Sequence, residues 1–354
     1  MTLEQTITQI PGPQAKAMEQ AKKRWDTIAK PLDSLGLLEE AVVRIAGLTG
    51  DSGYRIDKRC VAVLCADNGV VAQGVTQTGS EITALVAENL TRGESCVCRM
   101  ARMAHCDVVP VDIGICTDVD APGLWQCKVA YGTEDIALRP AMTRQQAVQA
   151  LETGIGLVAR LKEQGYQLIA TGEMGIGNTT TSSAVAAVLL GKRAEEVTGR
   201  GAGLSDEALE RKIQVIEKAI SLHRPDWKDP VDVLKKVGGL DIAGLAGVFL
   251  GGAQYGIPVV VDGFISGVAA LTAERLCPGC ADFMLASHVS AEPAGEMVLN
   301  ALGLTPVIRA GMCLGEGTGA VAALPLFQMA ADVYSRMSTF QENSLEEYQE
   351  FSHA

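Results

Sequence analysis

Two helical periodicities open the chain. Met18, Ala21, Trp25 and Ile28 recur at helical spacing over residues 13–29, and Leu37, Leu38, Ala41, Val42 and Ile45 do so over 35–47, with Lys30-Pro31 as the break between them. The pattern then changes to short apolar runs: Cys60–Ala66, Val108–Ile113, Gln167–Thr171, Ile257–Val261, Phe283–Ser287 and Thr305–Met312. Helix-like segments alternate with these runs, which predicts an α/β fold with a parallel sheet covered by helices on both faces. The apolar region Ile242–Ala270 is interrupted by Gln254, Pro258 and Asp262, so it predicts a buried helix, a turn, a buried strand and a second helix rather than a membrane span. From Leu324 to Phe351 the spacing is helical again, and this stretch is expected to pack on the N-terminal helices. No internal repeat or low-complexity linker interrupts the chain.

Polar residues gather where the apolar runs end. Asp67-Asn68-Gly69 follows the first run, Asp112 closes the second, Glu173 follows the third, Asp262-Gly263 the fourth, His288 and Ser290 the fifth, and Glu316 the sixth. Ligands of parallel sheets bind outside the carboxyl ends of the strands, so these positions are candidates for a site, although loop formers and helix caps also collect there. Glu316 stands out. It sits in Leu314-Gly315-Glu316-Gly317-Thr318-Gly319, where small neighbours let a ligand approach the backbone and the preceding run fixes the direction of the carboxylate, as a catalytic base requires.

Two glycine-rich loops suit an anion. Gly172-Glu173-Met174-Gly175-Ile176-Gly177-Asn178-Thr179-Thr180-Thr181 joins a predicted strand to a helix through Ser182–Leu190, and small residues at a helix start turn backbone amides toward a phosphate. No Gly-Lys-Ser or Gly-Lys-Thr follows, and Thr180 occupies the third glycine position of a dinucleotide fingerprint, so a mononucleotide or phosphosugar fits better. Helix capping by Thr179 or Thr180 is the competing reading. The second loop, Gly199-Arg200-Gly201-Ala202-Gly203, precedes Ser205-Asp206-Glu207, a plausible helix start, and that helix carries Lys212, either a phosphate contact or a solvated surface charge.

Charge and cysteine content narrow the partners. With 30 basic and 42 acidic side chains the net charge is -12, which argues against nucleic acid and anionic membranes and requires any anionic substrate to be held locally. Ten cysteines behind a start, Met1-Thr2-Leu3-Glu4-Gln5, that lacks a basic region and apolar core point to reduced thiols in a cytoplasm. Cys277-Pro278-Gly279-Cys280 has no second pair at zinc-finger distance, and His105, His223, His288 and His353 are scattered, so no metal is expected.

The chain resembles the nicotinate-nucleotide:dimethylbenzimidazole phosphoribosyltransferases over nearly its whole length. The resemblance lies in Lys30-Pro31 with Ser34-Leu35-Gly36, Ala66-Asp67 with Gly69-Val70, Glu88-Asn89 with Thr91-Arg92-Gly93, Gly172-Glu173 with Gly175 and Asn178-Thr179-Thr180, Lys236-Val237-Gly238-Gly239, Asp262-Gly263-Phe264, Ser287-His288 with Ser290-Ala291-Glu292, and Leu314-Gly315-Glu316-Gly317. It implies transfer of phosphoribose from nicotinate mononucleotide to an aromatic base, without a cofactor, by a homodimer. The implied fold is a Rossmann-like catalytic domain over 55–323 and a small helical domain built from 1–54 and 324–354. Glu316 matches the family's general base and Glu173 its second carboxylate. Gly175, Gly177, Asn178 and Thr179 match phosphate and ribose contacts, Gly201, Ala202, Gly203 and Lys212 match further phosphate contacts, and Leu314 matches an apolar wall against the acceptor. The chain departs from the family's serine-proline at Thr78-Gly79 and from its glutamine at Val86, both expected near the acceptor, which opens the pocket to other azoles, purines or phenols. A mononucleotide sensor without chemistry is the alternative from another class, and a nicotinamide-dependent oxidoreductase is disfavoured by Thr180.

Overall fold

β1 (Arg59–Ala66) is buried at every position and alternates its side chains between two apolar layers. Cys60, Ala62, Leu64 and Ala66 join one core cluster, while Val61, Val63 and Cys65 join the other, as the two-residue period of a strand demands. This is a computed structural model, and it describes residues 2–348. β1 lies at the centre of a six-stranded sheet with β2 (Asp107–Gly114), β3 (Trp125–Gln126), β4 (Leu168–Met174), β5 (Val259–Val261) and β6 (Met284–Ala286), in the order β3-β2-β1-β4-β5-β6. Every pairing is parallel. The first half of the sheet grows outward from β1 and the second from β4, so the strand order reverses between these two neighbours. That reversal opens a crevice at their carboxyl ends.

One face of the sheet is covered by the helices Arg144–Glu163, Asn178–Leu190, Leu240–Tyr255 and Phe264–Leu276. The other is covered by Glu81–Arg92, Cys96–Met103 and the long helix Thr318–Arg336. A third, smaller cluster joins the two ends of the chain: Ala17, Ala21, Trp25, Val42 and Ala46 pack on Ala330 and Tyr334, with the Trp25 and Tyr334 rings edge-on at 5.1 Å.

The N-terminal helices occupy Ala15–Thr27 and Leu37–Thr49, as their periodicity requires, and Ile242–Ala270 falls on the predicted helix, strand and helix. Four expectations are corrected. Residues 305–312 form no strand. They run beside 287–291 through one isolated bridge, His288 to Ile308, and a few hydrogen bonds such as Ile308 N to Ser287 O at 3.0 Å, because Pro306 removes a ladder donor and Gly311 bends the chain at φ +65°. β4 runs on to Met174, so Glu173 is a strand residue rather than a loop residue. The following helix begins at Asn178, ahead of Ser182, and carries Thr179 and Thr180 inside it; Gly177 is the N-cap. The C-terminal helix begins already at Thr318 and ends at Arg336, after which the chain turns; residues 349–351 of the predicted helical stretch, and His353, lie outside the described residues. β3 and the short helix Leu3–Gln9, the latter held by a Thr2–Gln5 capping box, add to the predicted elements.

Candidate active site

A cavity of about 270 Å³ lies over the carboxyl ends of β4, β5 and β6, beside the point where the strand order reverses. Its floor is the turn between β4 and the Asn178–Leu190 helix, which is pressed onto the end of β1: a side chain at Gly175 would overlap the Ala66 carbonyl. The same close packing holds the second acid loop. A Cβ on Gly172 would stand 2.5 Å from the Glu316 carbonyl oxygen, so the backbone of Glu316 lies directly against β4. Two segments far apart in the chain are thereby brought together, with Glu173, Gly175, Gly177, Asn178 and Thr179 on one and Leu314 and Glu316 on the other, all lining the cavity.

Glu316 has φ +58°, a left-handed conformation that costs a non-glycine residue about 1–2 kcal/mol. Two contacts hold it there. Val97 N, at the start of the Cys96–Met103 helix, donates to Glu316 Oε2 at 3.0 Å, which fixes the carboxylate plane and leaves Oε1 without that constraint. Asp262, at the end of β5, accepts from Ala320 N at 2.8 Å and faces the amides of Gly263, Gly317 and Gly319, binding the start of the Thr318–Arg336 helix to the sheet. Burial pushes the Asp262 carboxyl up to about 6 against the pull of those four amides.

Glu173 belongs to a buried acid pair. Asn178 Nδ2 donates to Glu173 Oε2 and, at 3.1 Å, to Asp241 Oδ2, so one amide bridges two carboxyl groups. Burial pushes Glu173 up to about 8, with Asp241 adding to the rise and the Asn178 bond opposing it. Burial also raises Asp241, to about 6. At neutral pH Glu173 therefore carries its proton and can donate to a bound oxygen rather than repel it.

The anion loop closes the opposite wall. Gly201 and Ala202 line the cavity, and Lys212 stands directly behind them, completely buried, donating to Thr179 Oγ1 at 2.9 Å and to Gly199 O at 3.0 Å. The solvated alternative for Lys212 is thus excluded, and burial pulls its ammonium down to about 8. Ser205 caps the helix that carries it, accepting from Ala208 N at 3.3 Å. Gly203 does not line the cavity. At φ +91° it turns its carbonyl toward Gln77 Nε2, 2.6 Å away, which ties the loop to the segment bearing Thr78. Thr78 and Leu314 are exposed at the rim, Leu314 by 58%. Val86, expected near the acceptor, is not part of the lining; it sits on the Glu81–Arg92 helix and packs against the core beneath it.

Of the polar residues expected at the ends of the apolar runs, Glu173, Asp262, Gly263, His288, Ser290 and Glu316 line the cavity, whereas Asp67, Asn68, Gly69 and Asp112 do not. Sequence reasoning gave no role to Asp241, Arg200 or Glu292. His288 is wedged between Gly263 and Gly319, its Nδ1 3.1 Å from Ser287 Oγ, and burial lowers its pKa.

A family model described as phosphoribosyltransferase matches residues 10–345. A protein of Acetivibrio thermocellus is 48% identical over 345 residues, covering 98% of each chain, and one of Chloroflexus aggregans is 47% identical over 349 residues, covering 98% of this chain and 99% of that one. Both are named nicotinate-nucleotide–dimethylbenzimidazole phosphoribosyltransferase. Among solved structures, CobT from Thermus thermophilus superposes with a TM-score of 0.89 at 40% identity, covering 94% of this chain and 100% of that one.

Proposed function

The chain belongs to this phosphoribosyltransferase family, and we propose that it transfers phosphoribose from nicotinate mononucleotide to dimethylbenzimidazole or a related aromatic base, a step in making the lower ligand of cobalamin. The observation that carries the reading is the approach of Glu173, at the end of β4, and the Glu316 loop to one cavity that the Gly201–Ala202 loop also lines, with a buried lysine behind that loop.

The chemistry follows from these positions. The phosphate lies beside Gly201, against the Ala202 amide and the Asn178–Leu190 helix start, with Lys212 and Thr179 behind and the Gly201 amide held by Glu292. Glu173, neutral at pH 7, donates to a ribose oxygen. A ring nitrogen of the acceptor attacks the ribose C1 carbon from the face opposite nicotinate, and the C1–N bond to nicotinate breaks with its electron pair returning to the pyridine nitrogen. Nicotinate leaves with a neutral ring, so that side requires no acid. The acceptor now bears a positive charge, and its N–H proton passes to Glu316, leaving an α-riboside phosphate. Leu314 covers the acceptor ring, and Thr78 at the rim contributes to the choice of base.

Glu316→Gln keeps an acceptor for Val97 N but cannot take a proton. It should lower kcat by about 100- to 10,000-fold with little change in nucleotide binding. Release of nicotinate only when a base is present separates this enzyme from a sensor, and undiminished transfer by the variant rejects Glu316 as the base. The family membership also supports a cytoplasmic homodimer whose small domain comes from both chain ends, and a monomer mass by light scattering rejects that part.

A further inference from the structure

The Gly199–Gly203 loop is held by opposite charges, Lys212 behind it and Glu292 beside it in the cavity lining. Lys212 Nζ donates to Gly199 O, while Glu292 Oε1 accepts from Gly201 N at 3.1 Å. The other Glu292 oxygen, Oε2, is sealed from solvent without a hydrogen-bond donor, against Gly199, where a side chain would overlap it. A carboxylate oxygen buried in this way is unfavourable unless its charge serves a nearby cation. Lys212 has two protein acceptors and three N–H bonds, so one donor remains for a ligand.

The geometry points to Glu292 as a positioning residue for the phosphate of nicotinate mononucleotide: it fixes Gly201 in the anion loop, and its negative charge keeps the Lys212 ammonium protonated behind that loop. The inference rests on the proposed reading of the loop and Lys212 as phosphate contacts. The electrostatics agree with it. Burial pulls Lys212 down to about 8, and Glu292 acts against that pull. Apart from Glu173, which titrates in the same range in parent and variant alike, the surrounding elements offer few other charges. Arg200, on the loop, is paired with Asp206; Arg211, on the lysine's own helix, donates to Gly74 O; and the Asn178–Leu190 helix presents only the neutral Thr179 hydroxyl.

The test is steady-state kinetics on the full-length protein, with nicotinate mononucleotide varied between about pH 7 and about pH 9.5, where its phosphate stays dianionic. Glu292→Gln retains an acceptor for Gly201 N and loses only the charge. Its KM for the nucleotide should begin to rise at lower pH than the parent's, and a limb lowered by about one pH unit corresponds to about fivefold higher KM at pH 8. The effect should fall on KM rather than kcat, and Glu292→Asp should restore the parent's limb. A Glu292→Gln profile that coincides with the parent's overturns the inference. So does a lower KM at every pH, which would make Glu292 a competitor of the phosphate for the Gly201 amide. Lys212→Met separates the two readings: it should raise KM, and if it leaves KM at the parent's value the phosphate assignment itself fails, whatever Glu292 does.

Discussion

Replacing Glu173 with glutamine should make the protein more stable in base while making it a worse enzyme. The carboxyl is fully enclosed and is pushed from 4.5 to about 8, first by burial and then by Asp241. Between those two values the folded chain holds a proton that the unfolded chain has released, so stability falls as pH rises through that window. The penalty is absent below about pH 4.5 and complete above about pH 8. At about 1.4 kcal/mol per pH unit, the window corresponds to about 4–5 kcal/mol, an upper figure because the site relaxes and admits water once charged. The glutamine of the variant is neutral at every pH, and its carbonyl can accept the Asn178 bond. Urea unfolding of both proteins at about pH 5, 7 and 9 reads the difference directly. The variant should gain on the parent steadily from about pH 5 to about pH 8, by an amount of order several kcal/mol. Asp241 and Asp262, which also titrate high, contribute to both proteins, so the comparison isolates Glu173. Parallel stability curves would mean that Glu173 is ionised in the folded chain at neutral pH, and its role as a neutral donor would be lost.

Two other substitutions probe how Glu316 is held. Gly172→Ala places a methyl group 2.5 Å from the Glu316 carbonyl and must displace the acid's backbone; kcat should fall by about 100-fold for a shift of about 1 Å, while circular dichroism keeps the native helix signal. An unchanged kcat would mean that the turn absorbs the methyl without moving the base. Asp262→Asn keeps one oxygen but turns an amide N–H toward donors that need an acceptor. Unfolding by urea should show a loss of about 1–3 kcal/mol, and a loss below about 0.5 kcal/mol would show that the amides of Gly317, Gly319 and Ala320 find water instead.

Much of this arrangement can be read in the sequence where the pattern is long and physical. β1, β2 and β4 are continuous apolar runs because both of their faces are covered, and the glycines beside Glu173 and Glu316 mark places where backbone meets backbone. β3 has two residues, too few for any period to appear, and 305–312 has the composition of a strand but is broken by Pro306, which removes one donor, and by Gly311, which turns the chain. Lys212 carried a usable signal. It lies on the stripe Lys212, Val215, Ile216 and Ala219, at the spacing of a buried helix face, and a charge on such a stripe calls for a buried partner. Asp241 carried none. An acid in the first turn of a helix is explained by the helix dipole, and its pairing with Asn178 and Glu173 depends on the fold bringing the Leu240–Tyr255 helix behind β4.

A protein of net charge -12 must hold an anionic nucleotide beside several acids, and burial explains how it can. Glu173 is neutral at pH 7 because it is desolvated, Asp262 faces four amides, and the Glu316 carboxylate accepts from the Val97 amide. Lys212 is buried enough to interact strongly with a phosphate yet not so isolated that it loses its proton at neutral pH. Glu173 and Lys212, at the candidate site, thus have their charge set by desolvation, and the surface charge of the chain acts only through screened, longer distances. The pH response follows from the same cause. Glu173 gains a negative charge and Lys212 loses a positive one in the same range near pH 8, so both changes oppose the phosphate, and nucleotide binding should weaken more steeply than a single titrating group allows.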